Sequence, residues 1–271
     1  MDVVALGELL IDFTENGVSN QGNPLFEANP GGAPCNVLAM LTKLGHKTAF
    51  IGKVGNDFFG KQLEKTIKEV GIDATGLQKD DEVHTTLALV HTYPDGDRDF
   101  SFYRNPGADM MLTEEEVPEE LIKGTRIFHF GTLSMTHEGV RKATKKAVRI
   151  AKESGALISF DPNLREPLWN SLDEAKEQVL YGLGQCDILK ISDNEIQWLT
   201  GEEDFTEGVR WIHEKYDIPM ILVSMGKAGS RAYYKDFIVE VKPFIQKNTI
   251  ETTGAGDTFC AGVLHYILGH G

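Results

Sequence analysis

Short apolar runs alternate with helix-like patterns through the middle and the end of this chain of 271 residues. Each run is about as long as one buried strand. The runs are ALISFD (156–161), DILKIS (187–192) and MILVSM (220–225). Between them lie stretches with one apolar helical face, such as the one that contains Ala175, Val179 and Leu183. Strand and helix in regular alternation predict a parallel sheet that helices cover on both sides.

Polar residues stand directly after each of these predicted strands. The segments are Asp161-Pro162-Asn163-Leu164-Arg165, Ser192-Asp193-Asn194-Glu195 and Ser224-Met225-Gly226. Ligands of open parallel sheets bind beyond the carboxyl ends of the strands, so the segments predict a binding site there. Each segment alone is more typical of a helix cap. It is the coincidence of all three that favours a functional site.

The bulk composition indicates one large α/β domain, with room for a small appendage. Of the residues, 41% are hydrophobic, and the formal net charge is −14. Such a charge opposes binding to nucleic acid, although a local site can still bind an anion. The three cysteines, Cys35, Cys186 and Cys260, are too widely spaced to indicate a disulfide framework or a zinc site.

The N-terminal segment and the hydropathy bear on the location of the protein. MDVVALGELLIDF lacks a basic start and is interrupted by Gly7 and Glu8, so it predicts a buried strand and not a signal peptide. No apolar run approaches the roughly 18 residues that a membrane helix needs. The sequence therefore predicts a cytoplasmic protein with no membrane partner.

Two segments interrupt the alternation of strands and helices. TLALVHTYPDGDRDFSFYR (86–104) contains two alternating runs around Pro94-Asp95-Gly96-Asp97, which is typical of a β-hairpin. Residues 13–30 are polar, contain Gly, Asn and Pro, and have little helical period. Together the two segments fit a small antiparallel flap that acts as a lid. An ordinary surface hairpin is the alternative.

Two other features resemble sites that the sequence argues against. GNDFFGKQ (55–62) nearly matches the G-x-x-x-x-G-K-[ST] phosphate loop, but Gln62 has no hydroxyl for Mg²⁺ and two phenylalanines occupy the loop. We interpret it as a turn and a helix start, with Leu63, Ile67 and Val70 facing the core. His129, in the run RIFHFG, has no second histidine at metal-ligand spacing, so we interpret it as a core or site-edge residue.

The segment TTGAGDTFCAG (252–262) has more glycine than a turn or a helix start needs. Small residues let a backbone approach a ligand closely. Phe259, Val263 and Ile267 recur at helical spacing, so the run from 258 to 268 is a predicted helix. Residues 254–257 therefore form a helix start, where free amides stabilise anions such as a phosphoryl group in transfer.

Asp257 at this helix start has two interpretations. As a structural residue, it complements the helix dipole. As a catalytic residue, it accepts a proton from a substrate hydroxyl, and the dipole keeps it ionised and weakly basic. Physical reasoning alone does not separate these interpretations.

Five motifs occur together in this chain. They are PGGAPCNV (30–37), FYRNPGADMML (102–112), DPNLREPLW (161–169), KISDNEIQWLTG (190–201) and TTGAGD (252–257). In these motifs and in their order, the chain resembles the ribokinase-type carbohydrate kinases along nearly its whole length, and among these it is most similar to the fructokinases. The resemblance implies a three-layer α/β/α ribokinase-like fold, with a central, mostly parallel sheet and a small β-sheet lid. It assigns 1–12, 31–84 and 109–271 to a large domain that binds nucleotide and substrate, and 13–30 and 85–108 to the lid.

The resemblance also implies a role for each motif residue. Asp257 is expected to be the catalytic base, with Gly254, Ala255 and Gly256 as the anion hole. The expected sugar-binding residues are Asp12, Gly32, Ala33, Asn36, Tyr103, Arg104 and Arg165. The expected nucleotide-binding residues are Lys190, Ser224, Gly226 and Gly229. Glu195 is expected to help organise hydrated Mg²⁺, which keeps several waters and needs few protein ligands.

The chain also departs from the pattern of its relatives. Glu251 stands where many relatives have an aspartate that helps to hold a monovalent cation, so a potassium requirement is left open. Ser192 replaces an asparagine that many relatives have, and Leu38 replaces a small residue. Relatives usually continue beyond the helix that follows TTGAGD, with elements of the adenine pocket. Should the chain end at Gly271, we expect weaker binding of ATP.

The function implied by the resemblance is ATP- and Mg²⁺-dependent phosphorylation of fructose to fructose 6-phosphate. Two alternatives stay open. One is a 2-keto-3-deoxygluconate kinase, in which Arg104 and Arg165 would clamp the substrate carboxylate. The other is a sugar-binding regulator on the same fold, without turnover. Relatives also pair their lid edges between subunits, so a homodimer through the lid is a further expectation.

Overall fold

The structure is a computed structural model that describes residues 1–92, 98–244 and 254–270. In these ranges the chain forms two β-sheets and eight α-helices. The strands are β1 (Val3–Leu6), β2 (Leu10–Val18), β3 (Pro24–Gly31), β4 (Thr48–Gly55), β5 (Asp73–Asp80), β6 (Leu87–Thr92), β7 (Arg98–Tyr103), β8 (Ile127–Gly131), β9 (Leu157–Asp161), β10 (Ile188–Ser192), β11 (Met220–Ser224), β12 (Ser230–Tyr234) and β13 (Phe237–Val241). The helices are α1 (Ala33–Lys43), α2 (Phe58–Val70), α3 (Glu119–Ile122), α4 (Glu138–Glu153), α5 (Leu172–Leu183), α6 (Asp193–Thr200), α7 (Phe205–Tyr216) and α8 (Ala255–His270).

The large sheet has nine strands in the order β13-β12-β11-β10-β9-β8-β1-β4-β5. From β11 to β5 every neighbouring pair is parallel, and β12 and β13 add an antiparallel hairpin at one edge. The three apolar runs that the sequence predicts as strands are β9, β10 and β11, which lie side by side. The prediction of a mostly parallel central sheet is therefore confirmed. The edge hairpin was not predicted, because β13 is exposed along its whole length and has no alternation of buried and exposed residues.

Helices cover both faces of the large sheet and create two hydrophobic clusters. Val3 and Ala5 of β1 belong to the cluster that includes α1, α2 and α8, whereas Val4 and Leu6 belong to the cluster that includes α4 to α7. Successive side chains of a strand point to opposite faces, so a strand that is buried throughout is covered on both sides. The predicted three-layer arrangement is confirmed. Among the helices of the described ranges, none is long and apolar enough to span a membrane.

The N-terminal apolar segment is divided between the two sheets, although the sequence predicts a single strand. β1 ends at Leu6 and β2 begins at Leu10, so the three residues between them cross from the large sheet to the small one. A side chain at Gly7 would come to 2.5 Å from Cγ of Pro34 in α1. Glycine at this position lets the crossing pass close to α1. As a result, Asp12 lies in the small sheet.

The small sheet has four strands in the order β3-β2-β6-β7. β6 and β7 are antiparallel, with Leu87 opposite Tyr103, which confirms the predicted hairpin. β2 and β3 are antiparallel as well. However, β2 and β6, which join the two hairpins, are parallel, so the prediction of a purely antiparallel flap is wrong. The predicted turn, Pro94-Asp95-Gly96-Asp97, lies outside the described residues.

Two helices start directly after strands or turns because local side chains satisfy their first amides. At α6, Oγ of Ser192 accepts a hydrogen bond from the Glu195 amide at 3.2 Å, and Oε2 of Glu195 accepts one from the Ser192 amide at 2.8 Å. At α2, Oδ1 of Asp57 accepts from the Gly60 amide at 2.8 Å. The segment GNDFFGKQ is therefore a turn and a helix start, as predicted, and Phe58 is exposed in it.

The packing of α5 on the sheet yields a prediction about stability. A side chain at Gly182 would collide with the buried ring of Phe160 in β9, whereas one at Gly184 would meet only ordinary contacts. We expect Gly182→Ala to lower the free energy of unfolding by about 1–3 kcal/mol, because overpacking displaces the neighbouring atoms. Gly184→Ala is the matched control and is expected to stay within about 0.5 kcal/mol of the wild type. Urea unfolding measures both values, and equal stability of the two variants would contradict this packing.

Candidate active site

A cavity of about 290 Å³, the first cavity, lies where the small sheet, the start of α1 and the N-terminus of α8 meet. The structure brings nine of the predicted site residues to its wall: Asp12, Gly32, Ala33, Asn36, Arg165, Lys190, Gly254, Gly256 and Asp257. Five residues that sequence reasoning did not select also line it: Glu8, Leu10, Phe102, Leu133 and Asn163. Motifs from both ends of the chain thus form one cavity.

The N-terminus of α8 forms one side of the first cavity. The amide of Thr258 donates to the carbonyl of Gly254 at 2.8 Å, so Gly254 is the residue that precedes the helix. By the rule for helix ends, the next amides, from Ala255 to Asp257, have no acceptor within the helix. Gly254 has a φ of 75°, a left-handed conformation that glycine adopts without strain. Ala255 itself is exposed and contributes its backbone only.

Asp257 is buried in the first turn of α8, with 7% of its surface exposed. Its Oδ2 accepts a hydrogen bond from Nδ2 of Asn36 at 2.8 Å. Burial raises the pKa of Asp257; the Asn36 hydrogen bond opposes this, Asp161 adds to it, and Lys190 and Arg165 oppose it. The net direction is upward. The sequence led us to expect that the helix dipole keeps this carboxyl acidic, whereas burial makes it a stronger base than a surface aspartate.

Beside Asp257 lies a buried ion pair. Nζ of Lys190 is 2.9 Å from Oδ2 of Asp161, and both residues are less than a tenth exposed. Burial alone lowers the pKa of Lys190, but Asp161 and Glu195 raise it above its ordinary value, so the amine stays protonated. A side chain at Gly256 would come to 3.0 Å from this Nζ. Gly256 therefore lets the ammonium reach the first turn of α8.

A second cavity of about 360 Å³ adjoins the first. The two share three lining residues, namely Asn163, Arg165 and Lys190. Glu195 lines the second cavity; its Oε1 accepts from the Leu164 amide and its Oε2 from the Ser192 amide, both at 2.8 Å. Among the residues that the structure describes, no three His, Cys, Asp or Glu side chains are grouped to hold a metal ion. Glu195 is thus a single, firmly oriented carboxylate.

The other residues predicted for the nucleotide lie at the same sheet edge but line neither cavity. Ser224 ends β11 directly opposite Ser192 of β10. Gly226 and Gly229 follow with φ values of 51° and 107°. A side chain at Gly229 would collide with the carbonyl of Val241, which explains why this position needs glycine.

Tyr103 and Arg104, predicted as sugar contacts, are not brought to the first cavity. Nε of Arg104 donates to Oδ2 of Asp109 at 2.8 Å. Its two terminal nitrogens donate to Oγ1 of Thr136 at 2.8 Å and to the carbonyl of Leu133 at 3.0 Å. The guanidinium is therefore buried and engaged by the protein itself. Tyr103 and Arg104 line a separate cavity between α2 and the end of β7.

Phe102 is the residue of β7 that lines the first cavity. Side chains alternate along a strand, so Phe102 and Tyr103 point to opposite faces of the small sheet. Tyr103 is accordingly 63% exposed. The alternation of residues along the predicted hairpin strand separates these two faces. It does not show which of the two faces lies against the first cavity.

His129 is a core residue of β8. It is 2% exposed, and its Nδ1 lies 2.9 Å from Oγ of Ser159. Burial, together with the nearby charge of Lys190, lowers the pKa of His129 to about 3, so the ring is neutral. It lines neither of the two cavities, and the interpretation of His129 as a core residue is confirmed.

Comparison with known proteins agrees with this geometry. The sequence pattern of the pfkB family carbohydrate kinases matches residues 1–270. The chain belongs to the pfkB family of carbohydrate kinases. The motifs that form the first cavity are therefore those of a sugar kinase family.

Several fructokinases of known sequence or structure resemble this pfkB-family chain. Probable fructokinase-2 of Arabidopsis thaliana is 42% identical over 98% of this chain and 81% of its own length. Fructokinase with bound ATP from Xylella fastidiosa has a TM-score of 0.89 at 29% identity, over 100% of this chain and 82% of its own. A double mutant of fructokinase from Vibrio cholerae O395, in a form with bound fructose, ADP and potassium ion, has a TM-score of 0.90 at 32% identity, over 99% and 84%. These likenesses confirm the predicted fold.

Glu8 is an acidic residue of the pfkB-family site that motif reasoning missed. It is 3% exposed, and its Oε1 accepts from the Ala33 amide at the start of α1 at 2.8 Å. Burial raises the pKa of Glu8 to about 7, against the lowering effect of backbone hydrogen bonds. The one available signal was a lone carboxylate inside an apolar N-terminal run.

Glu8 makes the stability of this kinase depend on pH. Its pKa in the folded protein is about 7, above the ordinary value of 4.5, so folding favours the protonated form. The stabilising contribution of protonated Glu8 is fully present below its ordinary pKa of 4.5 and is lost as the pH rises through its folded-state pKa of about 7. Glu8→Gln keeps an acceptor for the Ala33 amide and cannot ionise. We expect the variant to gain about 3 kcal/mol on the wild type between about pH 5 and about pH 8.

Urea unfolding of the wild type and of Glu8→Gln at both pH values measures this gain. Effects of all other titrating groups cancel in the difference between the two proteins. Stability curves that stay parallel across this range would show that Glu8 is not a buried acid with a raised pKa.

Proposed function

We propose that this pfkB-family protein is an ATP-dependent fructose kinase that forms fructose 6-phosphate and ADP. The observation that carries the proposal is the position of Asp257, a buried carboxylate in the first cavity, directly beside the free amides of α8. The similarity to fructokinases supports the substrate, as does the form of the Vibrio cholerae enzyme with bound fructose and ADP.

Asp257 acts as the general base. It accepts the proton of the sugar 6-hydroxyl while that oxygen bonds to the γ-phosphorus and the bond from this phosphorus to the ADP oxygen breaks. The hydrogen bond from Asn36 fixes the carboxylate, and burial makes it more basic than a surface aspartate. In a loose transition state the proton leaves late, so even a modest base suffices.

The start of α8 and Lys190 stabilise the migrating phosphoryl group. The amides of Ala255, Gly256 and Asp257 lack helical acceptors and point to the place where negative charge develops. The Lys190 ammonium lies against Gly256 and adds a full positive charge there. Gly254 supplies the left-handed turn that precedes these amides.

The sugar occupies the first cavity. Asp12, Asn36 and Arg165 offer a carboxylate, an amide and a guanidinium, which match hydroxyl groups that both donate and accept. Gly32 and Ala33, at the start of α1, allow the sugar to approach the backbone. Phe102 of the small sheet covers the cavity. Tyr103 and Arg104 are left out of the sugar site, because they do not line the first cavity, whereas Phe102 lines both the first cavity and the separate one.

ATP lies over the second cavity and the sheet edge that contains Ser224, Gly226 and Gly229. Glu195 is the residue that would hold Mg²⁺ through the waters of the ion, which would supply positive charge to the ATP phosphates. Both carboxylate oxygens of Glu195 already accept backbone hydrogen bonds, which fits an outer contact with a hydrated ion better than a group of direct ligands. The Vibrio cholerae structure is of a form with bound potassium ion. A comparison of activity in potassium with activity in sodium therefore tests whether this chain, with Glu251 in place of the usual aspartate, needs potassium. Glu251 lies outside the described residues.

We also propose that the small sheet, which consists of β2, β3, β6 and β7, closes as a lid over the sugar. Pairing of two lids in a homodimer and a cytoplasmic location stay predictions. A closed lid excludes water from the phosphoryl group.

A panel of acceptors in an ATP-consumption assay tests the substrate. We expect turnover with fructose to exceed turnover with 2-keto-3-deoxygluconate. Activity on the sugar acid alone would replace fructose by the alternative substrate, with Arg165 as a carboxylate contact. Fructose binding by calorimetry without any phosphorylation would instead support the regulator.

Replacement of the base gives a second prediction. Asp257→Asn keeps the size of the side chain but cannot take a proton, so we expect kcat to fall by roughly 10²- to 10⁴-fold with sugar affinity largely kept. Asp173→Asn is the matched control, since Asp173 is also a first-turn helix acid but is exposed in α5. Steady-state kinetics and sugar calorimetry measure both effects. A near-normal kcat in Asp257→Asn would remove Asp257 from the role of base.

The lid is tested at Phe102. We expect Phe102→Ala to raise the fructose KM about tenfold, because the sugar loses an apolar cover. Hydrolysis of ATP without sugar is expected to rise as well. Tyr103→Ala, on the opposite face of β7, is expected to change either quantity less. Larger changes of these two quantities in Tyr103→Ala than in Phe102→Ala would contradict the proposal that the Phe102 face of the small sheet covers the sugar.

A further inference from the structure

Asp161 has no role in the proposed reaction, although it lies at the centre of the site. It ends β9, is 2% exposed and lines neither of the two cavities. Its Oδ2 forms an ion pair with Nζ of Lys190 at 2.9 Å, but among the described residues neither carboxylate oxygen has a hydrogen-bond partner. A buried carboxylate whose oxygens accept no hydrogen bond is costly to the fold. Stability alone therefore gives a poor account of this residue.

The partner of Asp161 stands where the two cavities join. Lys190 lines both cavities, and its Nζ packs against Gly256 in the first turn of α8. A phosphoryl group that moves from the nucleotide to the sugar must pass this junction. A lysine buried without a counter-charge loses its proton readily, and the adjacent carboxylate prevents that.

Asp161 also acts on the proposed base. Charged or titratable groups interact with Asp257 from several elements: Asp161 from β9, Lys190 from β10, Arg165 from the loop after β9 and Cys260 from α8. Glu8 and Asp12 line the same cavity as Asp257. Asp161 raises the pKa of Asp257, whereas Lys190 and Arg165 lower it. Burial raises the pKa of Cys260 to about 12, so this thiol is uncharged. The two members of the Asp161–Lys190 pair thus shift the pKa of Asp257 in opposite directions.

We propose that Asp161 is a positioning residue of phosphoryl transfer. It holds the charged Lys190 ammonium at the junction of the two cavities, beside the α8 amides. This inference rests on the proposed kinase function and adds a residue that contacts neither substrate.

Asp161→Asn is the first test, because it keeps the shape and one acceptor but removes the charge. We expect kcat to fall by roughly 10- to 100-fold, with the KM of the acceptor changed little. The acid limb of the kcat–pH profile is expected to move to lower pH, since Asp257 loses a negative neighbour. Lys190→Met is expected to lower kcat too, but to move the acid limb to higher pH. A purely structural role would not produce opposite displacements.

A double variant tests whether Asp161 works through Lys190. If it does, adding Asp161→Asn to Lys190→Met costs no further kcat. Independent, additive losses would overturn the proposal. Asp187→Asn is the matched control: Asp187 lies at the other end of the same sheet region, where its Oδ2 accepts from the Ile158 amide at 2.7 Å. It is expected to lower stability without moving the pH profile.

Two features of the experiment distinguish failure of the Asp161 proposal from failure of the proposal that fructose is the substrate. The kinetics use whichever acceptor the wild type phosphorylates best in the panel, so rejection of fructose leaves the test of Asp161 intact. Carboxyl carbon NMR, with the Asp257 resonance assigned by its loss in Asp257→Asn, is expected to report the same two opposite pKa displacements without turnover.

Two further results would refute the proposal. One is an Asp161→Asn protein with wild-type kcat and an unmoved Asp257 titration. The other applies if Asp161→Asn does not fold: Lys190→Met then decides alone, and an unchanged kcat and pH profile in that variant would refute the role of the pair.

Discussion

The whole site depends on keeping one carboxylate out of water at the first turn of a helix. Burial of the Asp257 carboxylate costs free energy, because the ionised group loses its hydration. The Asn36 hydrogen bond, the free amides of α8 and the nearby Lys190 ammonium offset this cost. These groups come from α1, α8 and β10, whose relative positions are set by packing against the central sheet. The fold therefore assembles charges in advance, so little reorganisation is needed when a phosphate arrives.

Arg104 illustrates how a residue can serve a site that it does not face. It lies just beyond β7 of the small sheet, and it is joined to Asp109 and Thr136 of the large domain. Asp109 in turn accepts from Oγ1 of Thr86, just before β6, at 2.5 Å. Both strands of the hairpin are thus anchored at their base by one buried network. Buried charges are stable only when they are paired and hydrogen-bonded in this way, so the base of the small sheet has little freedom to slide.

The sequence predicted what depends on local pattern and failed where the outcome depends on contacts between distant segments. Apolar runs and turn residues identified β9 to β11 and the hairpin, and Gln62 with two phenylalanines identified the start of α2 as a helix start in place of a phosphate loop. The motifs selected nine residues that the structure brings to one cavity, but they did not say that Arg104 turns inward or that Phe102 rather than Tyr103 lines this cavity. The orientation of these side chains depends on which face of the small sheet packs toward α1 and α8. The local periodicity of the sequence is the same for either orientation, so it does not identify that face. Glu8 and the Asp161–Lys190 pair were missed for a related reason, since burial and long-range pairing are tertiary properties.

The junction of the two cavities has a consequence for inhibitor design. Asn163, Arg165 and Lys190 border both spaces, so the two cavities are direct neighbours. A single compound that joins a sugar mimic to a polyphosphate chain would occupy both at once. Its second half would bind at the high effective concentration that a short tether provides, and its selectivity would come from the sugar end.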